Sequence, residues 1–255
     1  MQCSSASHSE IRNLKITISY DGKELHGWQI QKNAITVQQR FQEAVQSVLG
    51  YTPDIKGCSR TDTGVHANMY VISMKTEHKI ACDRLKSALN RYLPLSIVVL
   101  SVCEVDEDFH ARYSCKGKRY VYKILNREVR DPFTEGYALH HRYDIDVEML
   151  NKAAQAYVGT HDFTSFCTLD KREKGDFTRT VKSFSVYREG QFVYMTVEAD
   201  GFLYNMVRIM VGTLLKIQQG KLSVDSIPRI IAAENRKEAG PTAPACGLYL
   251  DEVFY

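Results

Sequence analysis

The chain has 255 residues, of which 44% are hydrophobic and 25% charged, with a formal net charge of +3. This composition is typical of a globular protein and excludes a disordered chain, a collagen-like repeat and a continuous coiled coil. The longest apolar segment, residues 204–217, contains Arg208 and Lys216. It is shorter than the roughly 20 apolar residues of a membrane span and predicts a buried core helix.

The first half of the chain predicts alternating strands and helices. Residues 1–12 are polar and lack the apolar core of a secretory signal, which predicts a disordered tail. Apolar residues at alternating or helical spacing then predict a strand at 14–20, a helix at 36–49, a strand at 70–74, a helix at 83–93 and a strand at 97–103. Thr36 and Gln39 fit a capping box for the first helix, and Asp83 is the expected cap of the second.

The second half predicts more strands and a strongly apolar helix. The predicted strands are 119–125, 181–187, 192–198 and 248–254, and the predicted helices are 146–158, 203–218 and 224–233. Most strands alternate rather than form continuous apolar runs, which favours antiparallel or mixed sheets with helices on one face, an α+β class. A break near residues 126–143 suggests two halves, 13–105 and 106–255.

Basic residues are concentrated in two segments. Residues 110–130 hold seven lysines and arginines against one acidic residue, and residues 171–188 hold six against two. A local excess of this kind attracts polyanions. It also fits solvated strand edges that carry lysines against aggregation.

The seven cysteines are odd in number, and no two have a C-x-x-C spacing. A disulfide framework and a structural zinc site are therefore not expected. We interpret the cysteines as small apolar core residues of a protein in the reducing cytoplasm.

A loop at residues 57–67 holds Arg60, Asp62, Gly64 and His66 within one compact turn between a predicted helix and a predicted strand. Active-site residues often lie on such loops, held by a rigid scaffold. The same residues also fit an Asp-stabilised turn. Two interpretations of His66 are possible: its side chain orients the loop, or it is a core histidine whose hydrogen bonds are satisfied.

Arg208 lies between apolar neighbours in the helix predicted at 203–218, on one narrow polar stripe with Asn205 and Gly212. A buried arginine needs a carboxylate partner. Arg208 therefore fits a structural ion pair, a snorkelling side chain or a group that holds a reacting carboxylate in a cleft.

The basic segment 118–122 places Tyr120 and Tyr122 on one face of a strand. Aromatic faces amid positive charge suit an unstacked base, but on the residues alone two core or cross-strand tyrosines are the more ordinary interpretation. Together, the three places suggest a nucleic-acid site with one carboxylate, an arginine partner and an aromatic platform. Residue types alone do not name a reaction.

A series of motifs resembles the TruA-type tRNA pseudouridine synthases, the tRNA pseudouridine synthase A family. Residues 60–67 read R-T-D-T-G-V-H-A, which is similar to the family signature around its catalytic aspartate. Further landmarks follow in the family's order, at residues 20–22, 27–31, 109–112, 118–122, 161–166, 205–208 with Gly212, 240–244 and 247–250. The resemblance therefore spans nearly the whole chain.

The resemblance implies an α+β pseudouridine synthase fold of two similar halves whose sheets meet at a central RNA-binding cleft. It implies a homodimer that binds one tRNA across both subunits and isomerises uridine to pseudouridine at nucleotides 38, 39 and 40 of the anticodon stem-loop, without cofactor or metal. By position, Asp62 is the catalytic carboxylate and Arg208 pairs with it. Tyr120 stacks on the target base and assists proton handling, and Arg60 holds the flipped nucleotide or fills its place.

Residues 68–70 depart from the family pattern: Asn68 and Met69 precede Tyr70 where the family usually has a Gly-Gln pair. Three alternatives therefore stay open: a divergent paralogue that modifies other RNA sites, a non-catalytic RNA-binding module, and a hydrolytic glycosidase. The last is disfavoured because the motifs hold no second acidic residue. We also expect residues 171–176 to form an RNA-contacting loop, on the basis of their charge and Gly175.

Overall fold

The computed structural model describes residues 11–168 and 175–255. These residues fold into ten strands and five α-helices, with short 3-10 turns between some of them. In chain order the elements are β1 (Arg12–Tyr20), α1 (Val37–Leu49), β2 (Ile55–Gly57), β3 (His66–Thr76), α2 (Cys82–Tyr92), β4 (Ile97–Val105), β5 (Gly117–Asn126), β6 (Leu139–His141), α3 (Val147–Ala154), β7 (Gly159–Asp162), β8 (Thr178–Glu189), β9 (Phe192–Ala199), α4 (Met206–Gln218), α5 (Ile227–Ala232) and β10 (Leu248–Phe254).

All ten strands belong to one mixed sheet in the order β4-β1-β3-β10-β5-β9-β8-β7, with β2 beside β3 and β6 beside β5. The pairs β10–β3 and β5–β6 are parallel, and the others are antiparallel. Buried residues of the strands and helices form one hydrophobic core. The predicted α+β class with a mixed sheet is confirmed.

The two halves of the chain occupy two blocks of this sheet. Strands β1 to β4 come from residues before 106, and β5 to β10 come from residues after it. The blocks join where β10 runs parallel to β3, with Leu250 opposite Ala67 and Tyr249 opposite His66. Leu250 is also opposite Tyr120 on β5, so Ala67, Leu250 and Tyr120 share one face of the sheet. This junction positions the candidate site.

Helix α1 shows why the sequence forms these elements locally. The Thr36 hydroxyl accepts from the backbone N–H of Gln39, and Gly50 ends the helix in a left-handed conformation with φ 79°. Val37, Phe41 and Val45 recur at helical spacing and are fully buried. Only half of the predicted capping box forms, because the Gln39 side chain donates to Glu43 instead.

Several element boundaries differ from those predicted. Arg12, assigned to the tail, begins β1, and its guanidinium pairs with Glu104. The expected cap Asp83 lies inside the first turn of α2, whose N-cap is Ala81 without a side-chain bond. The helix predicted at 203–218 begins at Met206 because Asn205 is left-handed. Strands β2, β6 and β7 were not predicted, since three or four residues are too short for a periodic signal.

Six of the seven cysteines lie in the described ranges, and Cys58, Cys82, Cys103, Cys115 and Cys246 are free thiols. Cys58 and Cys167 are buried, as the core interpretation expects, whereas Cys103 is exposed and that interpretation is wrong for it. Within the described ranges, no helix has the length and apolar character needed to cross a membrane.

Candidate active site

The Asp62 loop connects β2 to β3 and is shaped by close backbone packing. A Cβ at Gly57, where the loop begins, would lie 2.1 Å from the Tyr70 hydroxyl and within 2.7 Å of the Trp28 indole. The Trp28 and Tyr70 rings stack with centroids 4.4 Å apart. Gly64 has φ 79°, and the N–H of Val65 donates to the Asp62 carbonyl at 3.2 Å. The loop is therefore a tight turn over an aromatic floor.

The segment after β1 holds this turn on both sides of Asp62. The N–H of Trp28 donates to the Thr61 carbonyl at 3.2 Å, and the N–H of Gly64 donates to the Leu25 carbonyl at 3.1 Å. A Cβ at Gly27 would lie 2.2 Å from the same Thr61 carbonyl oxygen. The motif at residues 20–28 thus fixes the backbone on either side of the carboxylate.

Asp62 pairs with Arg208 of α4 across the junction of the two halves. Arg208 Nη1 lies 3.1 Å from Asp62 Oδ2, and the two side chains are 18% and 27% exposed. These exposures place the pair in a partly open cleft. Among the described residues, no hydrogen bond reaches the second carboxylate oxygen of Asp62, so that oxygen faces outward from the pair.

Arg208 has two further hydrogen-bond partners. Its Nε donates to the Ala243 carbonyl at 2.7 Å, and its Nη1 also donates to Asn205 Oδ1 at 2.9 Å. The Ala243 N–H donates back to the Arg208 carbonyl at 3.0 Å. The segment 240–244 therefore clamps both the side chain and the backbone of Arg208.

The clamp depends on glycines where segment 240–244 crosses α4. A Cβ at Gly212 would lie 1.7 Å from the Pro241 carbonyl oxygen, and a Cβ at Gly240 would lie 2.6 Å from the Gly212 backbone. The polar stripe seen in the sequence thus has two functions. Asn205 and Arg208 supply polar atoms, and Gly212 supplies space.

Tyr120 lies on the core side of β5 with only 7% of its surface exposed. Phe202 meets its ring edge-on, with centroids 5.0 Å apart. Burial raises the pKa of Tyr120, the nearby Ser59 side chain opposes the shift, and the Asp62 charge adds to it. The phenol hydroxyl of Tyr120 is therefore protonated at neutral pH, so it can act as a proton donor in a reaction.

Arg60 belongs to the Asp62 loop but takes no part in the ion pair. Its side chain is exposed, and it has no hydrogen bond or ion pair with any residue the structure describes. Arg60 therefore lies at the rim of the cleft, free to contact a bound molecule.

His66 is a satisfied core histidine on the other face of the sheet. It is 2% exposed; its Nδ1 accepts from the Gly22 N–H at 3.1 Å, and its Nε2 donates to the Gly136 carbonyl at 3.0 Å. Its ring stacks on Tyr249 with centroids 4.6 Å apart. The strand register places His66 and Tyr249 on the face opposite Tyr120. Of the two interpretations of His66, the structure favours the core one.

The basic segment 110–130 is split between the two faces. Arg119, on the face away from Tyr120, pairs with Glu252 at 2.8 Å, Glu198 at 3.4 Å and Asp251 at 3.7 Å, so its charge is neutralised. The ammonium group of Lys123 lies 4.1 Å from the Tyr249 ring centroid on that same face. These two charges are therefore engaged within the protein, on the face away from Tyr120.

Four other basic side chains of the segment have no ion-pair partner among the described residues: Arg112, Lys116, Lys118 and Arg130. Lys118 shares the Tyr120 face by strand alternation, and its charge acts on the buried Cys58 beside the Asp62 loop. The basic residues of the expected RNA-contacting loop, Lys171, Arg172 and Lys174, lie outside the described residues.

Within the departure at residues 68–70, Asn68 does not enter the cleft. Asn68 donates to Asp251 at 2.9 Å and lines the same shallow cavity as Arg119 and Lys123, on the opposite face from Tyr120. Tyr70 is fully buried, and its hydroxyl donates to the Ser59 carbonyl, so it helps to hold the backbone of the Asp62 loop.

Within the described ranges, no group of three or more His, Cys, Asp or Glu side chains is arranged to hold a metal ion. Two parts of the site were missed by the sequence reasoning: the Ala243 carbonyl and the Phe202 ring. A main-chain acceptor leaves no signal in residue type, and Phe202 lacks any motif of its own in a strand-to-helix connection.

Comparison with known proteins identifies the family. The family model described as tRNA pseudouridine synthase matches residues 16–114 and 153–255. The chain belongs to this family of isomerases.

Individual relatives align with nearly the whole chain. A tRNA pseudouridine synthase A of Acetivibrio thermocellus is 46% identical over 245 residues, covering 96% of this chain and 100% of that protein. Enzymes of the same name from Thermoanaerobacter sp. and Halalkalibacterium halodurans are 45% and 42% identical, covering 96% and 93% of this chain and 100% and 90% of theirs. Among solved structures, a chain of a Cbf5-Nop10-Gar1 complex aligns with a TM-score of 0.35 at 10% identity, covering 92% of this chain and 57% of that chain. This similarity is too low to support a conclusion.

Proposed function

We propose that this member of the tRNA pseudouridine synthase family isomerises uridine to pseudouridine at nucleotides 38, 39 and 40 of the tRNA anticodon stem-loop, with Asp62 as the catalytic carboxylate. The observation that carries the proposal is the Asp62–Arg208 pair at 3.1 Å, in a partly open cleft where the two halves meet. The target nucleotides come from the family resemblance.

The reaction needs one reactive carboxylate and no co-reactant. The C1′–N1 bond breaks, the uracil turns and C1′ joins C5; the proton lost from C5 is balanced by the proton gained at N1. Asp62 acts as the nucleophile or removes a sugar proton, and either role requires an ionised carboxylate. Arg208 stabilises that charge through one carboxylate oxygen and leaves the other free for the nucleotide.

Tyr120 forms the wall on which the detached uracil rests while it turns. A buried ring held edge-on by Phe202 keeps one orientation, which a turning base requires. Because its pKa is raised by burial, its hydroxyl stays protonated and serves as a donor. These properties support a platform that also handles protons.

The target uridine must leave its stack before it reaches Asp62, so a positive surface has to hold the RNA backbone. The unpaired charges of Arg112, Lys116 and Lys118 supply that attraction. Arg60, exposed at the rim of the cleft, holds the extruded nucleotide or occupies the space it leaves.

The proposal includes a homodimer that binds one tRNA across both subunits in the cytoplasm. The homodimer comes from the family resemblance, and the cytoplasm comes from the odd number and irregular spacing of the cysteines. Sedimentation equilibrium of the free protein and of its tRNA complex measures the stoichiometry directly, and a monomer that binds one tRNA would remove this part.

The test is tritium release from unmodified tRNA labelled at uridine C5, followed by mapping of pseudouridine. Wild type is expected to release tritium from the anticodon arm. Asp62→Asn is expected to lose release by about 10⁴-fold while its Kd for tRNA stays within about threefold. The matched control is Asp54→Asn, the same chemical change at an exposed residue of the same half, and it should act like wild type.

Each other outcome changes a defined part of the proposal. Release mapped outside the anticodon arm keeps the chemistry and replaces the target, as a divergent paralogue would. Equal release from Asp62→Asn removes Asp62 as the catalytic group. Free uracil in place of pseudouridine indicates hydrolysis. Binding without modification by either protein indicates a non-catalytic RNA-binding module.

A further inference from the structure

The side chain of Asn205 does not do what its position predicts. Asn205 is the N-cap of α4, where an asparagine usually accepts from a free N–H of the first turn. No such bond forms here. Its Oδ1 instead accepts from Arg208 Nη1 at 2.9 Å, and its Nδ2 donates to the Thr168 hydroxyl at 3.0 Å.

The backbone of Asn205 is also unusual, with φ 63° and ψ 6°. Left-handed backbone costs free energy for every residue except glycine, although asparagine tolerates it better than most. Of the described residues other than glycine, only Asn205 and Glu234 have positive φ. Helix α4 thus begins with a strained residue and lacks its side-chain cap, and strain of this kind concentrates at functional sites.

The two bonds of the amide fix its orientation. Arginine only donates, so the oxygen of Asn205 must face Arg208 and the NH₂ group must face Thr168. Thr168 is itself held, because its N–H donates to the Tyr204 carbonyl at 3.1 Å. The bond to Thr168 therefore holds the amide oxygen of Asn205 toward the Arg208 guanidinium.

This oxygen changes how Arg208 can pair with Asp62. An arginine and a carboxylate usually form two parallel bonds that occupy both carboxylate oxygens. Here Nε donates to Ala243, Nη1 is shared between Asn205 and Asp62 Oδ2, and Nη2 has no bond to a described residue, so Asp62 receives one bond. The other oxygen of Asp62 has no bond to any described residue.

We propose that Asn205 is a positioning residue: it holds the Arg208 guanidinium so that Asp62 is paired through one oxygen and presents the other to the nucleotide. This inference rests on the proposed function, because that function gives the free oxygen its meaning. The placement of Arg208 itself is a property of the resting protein and is measurable without any reaction.

The kinetic test compares Asn205→Gly with Asn205→Asp under the tritium-release assay. Glycine accepts the left-handed backbone and removes both side-chain bonds, so kcat should fall by about 20-fold with KM for tRNA unchanged. Aspartate keeps an acceptor for Arg208 and should hold kcat within about threefold of wild type. Glu234→Gly, the same change at the other left-handed residue, is the matched control and should leave kcat unchanged.

A second measurement reports on Arg208 alone. In ¹⁵N-labelled protein, with Arg208→Lys used for assignment, restricted rotation should give separate Nη signals for Arg208 in wild type and averaged signals in Asn205→Gly. Unchanged Nη signals, or a rise in KM with kcat retained, would overturn the inference. Averaged Nη signals in a protein whose wild type releases no tritium would support the positioning and reject the proposed function.

Discussion

Asp62 and Arg208, the two charged residues at the centre of the cleft, are held in opposite ways. Around Asp62, the N-terminal half fixes the backbone: Trp28 and Leu25 bond to the residues on either side, while the carboxylate has a single bond. Around Arg208, the C-terminal half fixes the side chain itself, through Ala243 and Asn205 as well as Asp62.

The difference matches what each group has to do. A guanidinium that only stabilises charge gains from being locked, since preorganised donors need no rearrangement during the reaction. A carboxylate that forms or accepts a bond needs a free oxygen and a small range of movement on a fixed backbone. We therefore expect changes at Arg208 to affect turnover more than binding, and changes around the Asp62 loop to affect stability first.

After the loss of Asp62 itself, the largest effect is expected when the locked side chain of Arg208 is removed. Arg208→Gln deletes the positive charge beside Asp62 and should lower kcat by about 10³-fold. Arg208→Lys keeps the charge but loses the planar fork that reaches three acceptors, and should lose about 100-fold. Single-turnover rates on labelled tRNA distinguish the two, and equal rates for lysine and wild type would show that charge alone matters.

Substitutions at Tyr120 distinguish the role of its ring from the role of its hydroxyl. Tyr120→Phe removes only the donor and should lower kcat by about 100-fold at unchanged KM. Tyr120→Leu also removes the stacking face and should weaken binding of the tRNA by about 1–3 kcal/mol. If phenylalanine turns over like wild type, the role of Tyr120 is confined to stacking.

The close backbone packing near Asp62 and near Arg208 can be tested in each case by adding a single methyl group. Gly27→Ala, near the Asp62 loop, would bring a Cβ to 2.2 Å from the Thr61 carbonyl at φ 78°, and Gly212→Ala would bring one to 1.7 Å from the Pro241 carbonyl. Each should lower the free energy of unfolding by about 3 kcal/mol in urea titrations.

Gly50→Ala is the control for this comparison, because Gly50 has φ 79° and nothing within 4 Å of its Cβ position. It should cost about 1 kcal/mol, the contribution of the backbone conformation alone. If Gly27→Ala costs no more than Gly50→Ala, the close contact with Thr61 does not hold the loop.

The sequence predicted the long strands and helices well because their signal is local. Phe41 and Val45 on α1, or Tyr120 and Tyr122 on β5, are spaced by the period of their own element. The Asp62 loop was also recognisable, since its acid, arginine and glycine lie within eight consecutive residues. Its partner in space could only be reached through the family resemblance, because 146 positions separate Asp62 from Arg208.

What could not be predicted depends on contacts between distant backbones. The parallel pairing of β10 with β3 has no local pattern, yet it brings the two halves together. The start of α4 at Met206 follows from the left-handed Asn205, whose side chain bonds to Arg208 instead of capping the helix. The neutralisation of Arg119 needs three acids from β9 and β10, so a count of basic residues overstated the charge facing the cleft.

The smallest effect is expected at His66, which joins the Gly22 turn of the N-terminal half to Gly136. Burial lowers the pKa of His66, and the Asp21 carboxylate, 3.2 Å from Nδ1, partly opposes this shift. In the unfolded chain its imidazole titrates near the ordinary value of about 6.5. As the pH falls through that value, the unfolded chain binds a proton that the folded protein does not, so the stability contributed by neutral His66 is present above it and is lost below it.

His66→Gln cannot titrate and should show a flatter decline in unfolding free energy between about pH 7 and pH 5, measured by urea titration. The matched control is His26→Gln, the same change at an exposed histidine. Identical declines in wild type and His66→Gln would mean that folding does not lower the pKa of His66, because a protonated Nδ1 can no longer accept from the Gly22 N–H, and the bonds of His66 would then not make the contact between Gly22 and Gly136 sensitive to pH.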